Sequence, residues 1–257
     1  MIESRQNRWV KDIRRLRRSK DPRLLLEGPH LLTEALQAGL DLEVVLFAPD
    51  FLASPKGQEL AARLPRPPLE IAPSLIDELC DSDSPRGALA VARVTEAGLE
   101  GLPVCSEGLY VYADGIQDPG NLGALARVVE ATGGDALVCG PSCCRWGHPR
   151  ALRASAGSLL RLPIATRISV AGLSTRLPAA RWATLDPRGG VSIYEQDWRE
   201  AMVLVVGAEG PGVSKDASEK ADLHLTIPMA GQVESLNATV SASVVLFERA
   251  RVLADRG

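Results

Sequence analysis

The sequence predicts an α/β protein of two units, the second built on a mostly parallel sheet. Short apolar runs alternate with segments whose apolar residues recur every three or four positions, the signature of strands alternating with helices. A stretch at 96–108 holds Gly98, Gly101, Gly108 and Pro103 without periodicity, and reads as a linker between a domain at 1–95 and another at 109–257. In the second domain, polar loops follow strands directly, which is where parallel sheets present their ligand sites.

Residues 5–20 read as a basic helix, with Trp9, Ile13 and Leu16 as the apolar stripe and Arg14, Arg15, Arg17 and Arg18 on the remainder. Residues 24–26 are a short buried strand ended by Glu27-Gly28-Pro29, and 30–38 are helical with Gly39 as C-cap. Strands at 42–47, 69–72 and 88–94 enclose helices at 58–64 and 74–80. Glu27 and His30 could begin a catalytic pair, but a helix-start Glu and a partly exposed His explain them equally well.

The second unit opens with a strand at 109–113, a polar loop at 114–121 and a helix at 122–132 stopped by Gly133-Gly134. A strand at 136–139 and a helix at 150–160 follow, then strands at 181–185, 202–206 and 223–227. Pro228 removes a backbone donor and ends the last strand. Residues 236–254 read as a helix with Leu236, Val240, Val244 and Phe247 on its apolar face. Its first turns carry Ala238, Ser241, Ala242 and Ser243, small enough for a ligand or another backbone to approach closely.

With 46% hydrophobic and 24% charged residues in 257, the chain can build a substantial core, and no apolar run is long enough to span a membrane. The N-terminus lacks the apolar stretch of a signal peptide, so a cytoplasmic location is expected. The five cysteines do not form a disulfide framework. Cys139, Cys143, Cys144 and His148 raise a zinc site, but C-x3-C-C-x3-H lacks the second paired cluster of a zinc module, so no metal is expected. The net charge of −3 conceals an asymmetry: residues 1–23 hold nine Lys or Arg against three Asp or Glu. A basic arm on an acidic body suggests a polyanionic partner.

Three loops carry the chemistry. Asp118-Pro-Gly-Asn121 opens a helix on which Arg127 lies six residues on; Gly207-Ala-Glu-Gly-Pro-Gly212 follows a strand; Glu234, Ser235 and Asn237 precede the last helix. The second loop is neither G-x-G-x-x-G nor a P-loop, so phosphoryl transfer and a standard dinucleotide site lose support.

Together the three segments, in their order and spacing, resemble the three motifs of the SpoU/TrmH-type RNA 2′-O-ribose methyltransferases of the SPOUT superfamily, over about 109–254. Arg153-Ala-Ser-Ala-Gly157 also resembles a family segment, and 1–95 resembles the family's small ribosomal-protein-like substrate-binding domain. The resemblance implies a trefoil-knotted parallel-sheet domain, a homodimer, and S-adenosylmethionine held at Gly207, Ile227 and Leu236 with Met229 close by. It implies catalytic roles for Asn121, Arg127, Glu209, Ser235 and Asn237, with Arg127 stabilising a developing alkoxide or gripping the neighbouring phosphate. Ala208 and Pro211 depart from common family residues, which touches fine positioning only. The implied partner is RNA, ribosomal rather than transfer RNA; the alternatives are a transfer-RNA methyltransferase or an RNA-binding protein that kept the fold and lost catalysis.

Overall fold

The structure is a computed structural model that describes residues 1–18, 21–82, 85–186, 189–230 and 236–255. Two compact units emerge, residues 1–95 with 146–161 and residues 96–145 with 162–257. The linker expected at 96–108 is therefore part of the second unit. It has no regular element, but Leu102 is buried and the Arg176 guanidinium donates to the carbonyls of Leu99, Glu100 and Leu102.

The first unit runs α1 (Arg8–Arg18), β1 (Leu24–Glu27), α2 (Pro29–Gln37), β2 (Asp41–Phe47), α3 (Pro49–Ala53), α4 (Pro55–Arg63), β3 (Leu69–Glu70), α5 (Pro73–Leu79) and β4 (Ala88–Arg93). Proline stands in the first turn of α2, α3, α4 and α5, where its missing N–H costs nothing and its fixed φ suits a helix start. The sheet order is β1-β4-β2-β3, with β4 antiparallel to both neighbours and β3 parallel to β2. Val10, Ile13 and Leu16 of α1 are buried with Leu25, Leu46 and Val91, and Trp9 packs at the margin.

The basic arm is largely neutralised within this unit. Arg23 pairs with Asp12 at 2.7 Å, Asp21 at 2.8 Å and Glu43 at 3.2 Å, and its hydrogen bonds hold the Asp21 carboxyl down to about 2. Arg14 pairs with Glu78, and Arg17 with Asp81 at 3.6 Å. Arg15 meets Asp12 at 2.9 Å but keeps 72% of its side chain exposed. The side chain of Arg18 lies outside the described residues.

Residues 146–161 complete the first unit as α7 (Pro149–Ser155) and α8 (Ser158–Arg161). The single helix expected over 150–160 is broken because Ala156 and Gly157 take φ values of 48° and 96°. Gly accepts such a conformation freely; alanine does so at a cost, and here caps the end of α7. Arg153 donates to the buried Glu27 carboxylate at 2.6 Å, the Asp81 N–H donates to the same carboxylate at 2.8 Å, and Arg161 pairs with Glu34. Burial raises the Glu27 pKa, and Arg153 partly offsets the rise.

The second unit holds β5 (Leu109–Asp114), α6 (Pro119–Ala131), β6 (Ala136–Cys139), β7 (Ile164–Ala165), α9 (Val170–Arg176), β8 (Arg181–Leu185), β9 (Val191–Ser192), β10 (Met202–Gly207), α10 (Lys215–Lys220), β11 (Leu223–Thr226) and α11 (Ala238–Ala254). Its sheet order is β7-β6-β5-β10-β8-β11-β9, and every pairing is parallel. Strands β5, β6 and β10 are buried on both faces, which is why they read as unbroken apolar runs. On one face Tyr110, Tyr112, Val138, Trp182, Val203 and Val205 pack with Leu173 of α9 and with Leu177 just after it.

The last helix turns the opposite way from its sequence reading. Its buried residues are Thr239, Ala242, Val245, Leu246 and Arg249, whereas Leu236, Val240 and Phe247 are exposed. Apolar residues occur around most of α11, so periodicity alone could not choose the inward face.

Candidate active site

The carboxyl ends of β5, β8, β10 and β11 gather the loops singled out from the sequence. Asp118 caps α6 by accepting from the Asn121 N–H at 2.9 Å, which fixes Asn121 in the first turn. The Gly207–Gly212 loop closes on itself: the Ala208 N–H donates to the Gly212 carbonyl at 3.1 Å, and the Gly212 N–H to the Ala208 carbonyl at 3.0 Å. A Cβ on Gly207 would lie 2.4 Å from the Gly212 carbonyl carbon, so only glycine permits that closure. Glu209 stands at the tip of the loop. Asn237 caps α11, its Oδ1 accepting from the Thr239 N–H at 2.9 Å and the Val240 N–H at 3.3 Å.

Glu209 ties the three segments together. Its Oε1 accepts from Asn121 Nδ2 at 2.9 Å and also from Asn237 Nδ2. Thr239 Oγ1 adds a bond to the Asn121 carbonyl at 3.3 Å. One carboxylate oxygen thus joins residues from loops 88 and 28 positions away in sequence.

Two clefts flank this junction. The first, of ≈ 670 Å³, contains Gly207, Ile227, Met229 and Leu236, together with Glu209 and Asn237. The second, of ≈ 660 Å³, lies between the 114–121 loop and the 207–214 loop and includes Asn121 and Glu209. Gly207, Ala208, Glu209, Pro211, Gly212, Val213 and Ala238 line both, forming a shared wall. Arg127 is not gathered in: it is exposed on α6, lines neither cleft, and makes no hydrogen bond or ion pair among the described residues. Ser235 lies outside the described residues.

Residues 108–247 match the SpoU rRNA Methylase family, and 7–90 match the MRM3-like substrate binding domain. Over 253 residues the chain is 30% identical to the 23S rRNA (guanosine(2553)-2′-O)-methyltransferase RlmP of Bacillus subtilis, covering 96% of this chain and 97% of that one. This chain belongs to the SpoU rRNA methylase family. An AdoMet-bound rRNA methyltransferase from Sinorhizobium meliloti superposes with a TM-score of 0.85 at 25% identity, over 98% of this chain and 97% of its own. The fold is shared as well with the SpoU methyltransferase AviRb of Streptomyces viridochromogenes, at a TM-score of 0.88 and 24% identity, over 97% and 99% of the two chains.

Beyond its motifs, this SpoU-family chain carries site residues that sequence reasoning missed. Thr184, Asp186 and His224 line the first cleft, and Thr184 Oγ1 lies 2.8 Å from His224 Nδ1. Their signal was their place at or just after strand ends, weak without knowing which strands are neighbours. Gln117 and Ser142 line the second cleft, where Gln117 Nε2 donates to the Ser142 carbonyl. Asp114 Oδ2 accepts from the Ser214 N–H at 2.6 Å, anchoring the end of the glycine loop to β5.

Next to Ser142 in sequence, Cys143 donates its thiol to the Ala113 carbonyl at 3.0 Å. Hydrogen bonding with Cys139 pulls the Cys143 thiol down to about 7 and pushes Cys139 up, while burial pushes Cys144 up to about 12. Among the described residues no three His, Cys, Asp or Glu side chains are grouped to hold a metal, and no helix is long and apolar enough to cross a membrane.

Proposed function

We propose that this protein methylates a ribose 2′-hydroxyl in ribosomal RNA, with S-adenosylmethionine as donor. Family membership across the catalytic unit, with all three motif loops joined at Glu209, is the observation that carries the reading. The residues of the first cleft fit the donor. Ile227, Met229 and Leu236 offer apolar contact for an adenine and a methionine chain, and the glycine-rich wall lets a ligand reach the backbone. When bound, S-adenosylmethionine supplies a sulfonium methyl that passes to the hydroxyl oxygen, sulfur keeping the C–S electron pair while the hydroxyl proton goes to solvent. The leaving group is a neutral thioether, so it needs no metal to stabilise it.

The chain's own residues orient and polarise. Glu209 holds Asn121 and Asn237 in register beside the shared wall, and in-line placement of hydroxyl and methyl supplies much of the acceleration. Ser235 joins them on its motif position. On its motif position, and not on its place in this structure, where it lines neither cleft, Arg127 stabilises the developing alkoxide or grips the adjoining phosphate.

Residues 1–95 hold and select the RNA, and 109–257 bind the donor and do the chemistry; the match of 7–90 to a substrate-binding domain supports this division. Arg15 is the readiest phosphate contact, whereas Arg14 and Arg17 must exchange Glu78 and Asp81 for phosphate, and Arg18 extends the same helix. The uncovered stripe of Val240 and Phe247 supports a homodimer formed over α11. The return of the chain after β11, at β8, to pack α11 on α6 supports a trefoil knot at the donor site. The protein works in the cytoplasm, where ribosomes are assembled.

Calorimetry with S-adenosylmethionine and S-adenosylhomocysteine, without added metal, tests the donor site, and neither NAD nor ATP should compete. Mapping of 2′-O-methyl sites in cellular RNA with and without the protein tests the reaction. Loss of one ribosomal site on deletion is expected. Cofactor binding with no site lost would leave an RNA-binding protein, and loss of a site in transfer RNA would move the substrate.

A further inference from the structure

The second cleft shares a wall, Gly207 included, with the cleft proposed for the donor, but contains none of Ile227, Met229 and Leu236. We infer that it receives the acceptor ribonucleoside with its base unstacked, and that the Gln117 carboxamide reads the hydrogen-bonding edge of that base. The inference rests on the methyl-transfer reading of the first cleft.

Position comes first. The cleft lies over the carboxyl ends of β5 and β10, where the 114–121 and 207–214 loops face each other. A methyl donor on one side of Glu209 and a nucleoside on the other meet across residues that line both clefts.

Size and chemistry agree. A cavity of ≈ 660 Å³ falls within the range of roughly 300–1,000 Å³ of small-molecule sites. Its apolar lining comes from Ile116, Pro211, Val213 and Ala238. Its polar groups are not spread evenly. Asn121 and Glu209 stand at the shared wall, where the ribose must lie, while Gln117 and Ser142 stand in the loops that follow β5 and β6.

Gln117 is held in place. Its Nε2 donates one hydrogen to the Ser142 carbonyl, and the Cys144 N–H donates to the Ile116 carbonyl at 2.8 Å, joining the 140–145 turn to the 114–118 loop. A primary amide has two donor hydrogens and an acceptor oxygen, so one donor and the acceptor remain for a ligand. A base edge presents a donor beside an acceptor, and splayed single-stranded bases are recognised in this way. A site built to pair such groups rejects a base that leaves them unpaired more strongly than an apolar pocket rejects a misfit.

The test uses the full-length protein saturated with S-adenosylhomocysteine, and the four ribonucleoside 5′-monophosphates as probes, followed by NMR titration. Binding of S-adenosylhomocysteine is measured separately by calorimetry. The wild type should favour one or two of the monophosphates by about fivefold or more. Gln117→Leu should bring all four within about twofold of one another. Gln117→Glu, which keeps an acceptor and loses the donors, should reorder the preference. Both variants should keep the cofactor affinity of the wild type, a readout that a merely structural defect would move. Equal binding of all four by the wild type, binding of none, or a preference that survives Gln117→Leu overturns the inference. Failure of S-adenosylhomocysteine to bind overturns the reading of the first cleft instead.

Discussion

Asn237 performs two tasks that substitution can separate. Its Oδ1 caps α11 by accepting from Thr239 and Val240, and its Nδ2 donates to Glu209. Asn237→Ala removes both. The lost cap costs about 1 kcal/mol and the lost side-chain hydrogen bond, at an exposed position, about as much again. For a chain of this size about 2 kcal/mol lowers Tm by roughly 4–8 °C. Asn237→Ser keeps a capping oxygen and loses only the bond to Glu209, about 1 kcal/mol, so it should melt about 2–4 °C below wild type. If Glu209 must hold Asn121 and Asn237 in register, the serine variant should still lose about tenfold or more in kcat, a change of ~1.4 kcal/mol. Asn237→Asp also keeps the cap but sets a second carboxylate against Glu209, at a cost of ~1 kcal/mol with water-like screening. Two adjoining carboxyls raise one pKa of the pair, so lowering the pH lets one take up a proton and donate to the other again. Activity of the aspartate variant relative to wild type should therefore rise as pH falls. Scanning calorimetry and single-turnover methyl transfer would measure these effects. A serine variant with wild-type turnover would refute the Glu209 link, and an alanine variant with unchanged Tm would refute the cap.

Gly207→Ala should abolish measurable S-adenosylhomocysteine binding, because the new Cβ meets backbone at 2.4 Å, whereas Gly189→Ala, which meets nothing within 4 Å, should bind normally by calorimetry. Arg127→Ala should retain cofactor affinity and lose methyl transfer by about a hundredfold or more. A fall in kcat would identify an alkoxide contact and a rise in KM for RNA a phosphate contact, and Arg127→Lys should not rescue the former. Light scattering should give twice the 27.4 kDa chain mass, and Val240→Asp with Phe247→Asp should give the monomer; an unchanged mass would place the interface elsewhere. Cys143 should react with iodoacetamide at a rate that climbs through pH about 7, while Cys144, held up to about 12, stays slow; peptide mass mapping with the reverse order would contradict the hydrogen bond from Cys139.

The parallel sheet and its loops were legible because doubly buried strands are apolar throughout and end abruptly in Gly, Pro and Asn. The 202–206 run and the glycine loop after it could be read from composition alone. The junction at Glu209 could not, because it depends on β10 lying between β5 and β8, an order that no local pattern records. The inward face of α11 escaped for a related reason: Val240 and Phe247 are as apolar as Val245 and Leu246, and packing against α6 and β10 decides which pair is covered. The basic arm was legible as a count of charges, but Glu78, Asp81 and Glu43, which neutralise much of it, arrive from 20 to 64 residues later. The two-residue strands β7 and β9 have too few positions to show any period, whereas β3 lies inside the strand expected at 69–72.

The excursion of residues 146–161 bears on how the chain acquires its shape during synthesis. Pro149, Ala151 and Leu152 of α7 are buried in the first unit, and Arg153 supplies the cation for the buried Glu27. When the first 95 residues have left the ribosome, that unit still lacks α7 and α8, and Glu27 has no Arg153 to balance it. Its closure must wait until residue 161 has emerged, by which time β5, α6 and β6 of the other unit are already outside. A stop codon or proteolytic cut after residue 95 would therefore release the first unit without α7, α8 and the Arg153 partner of Glu27.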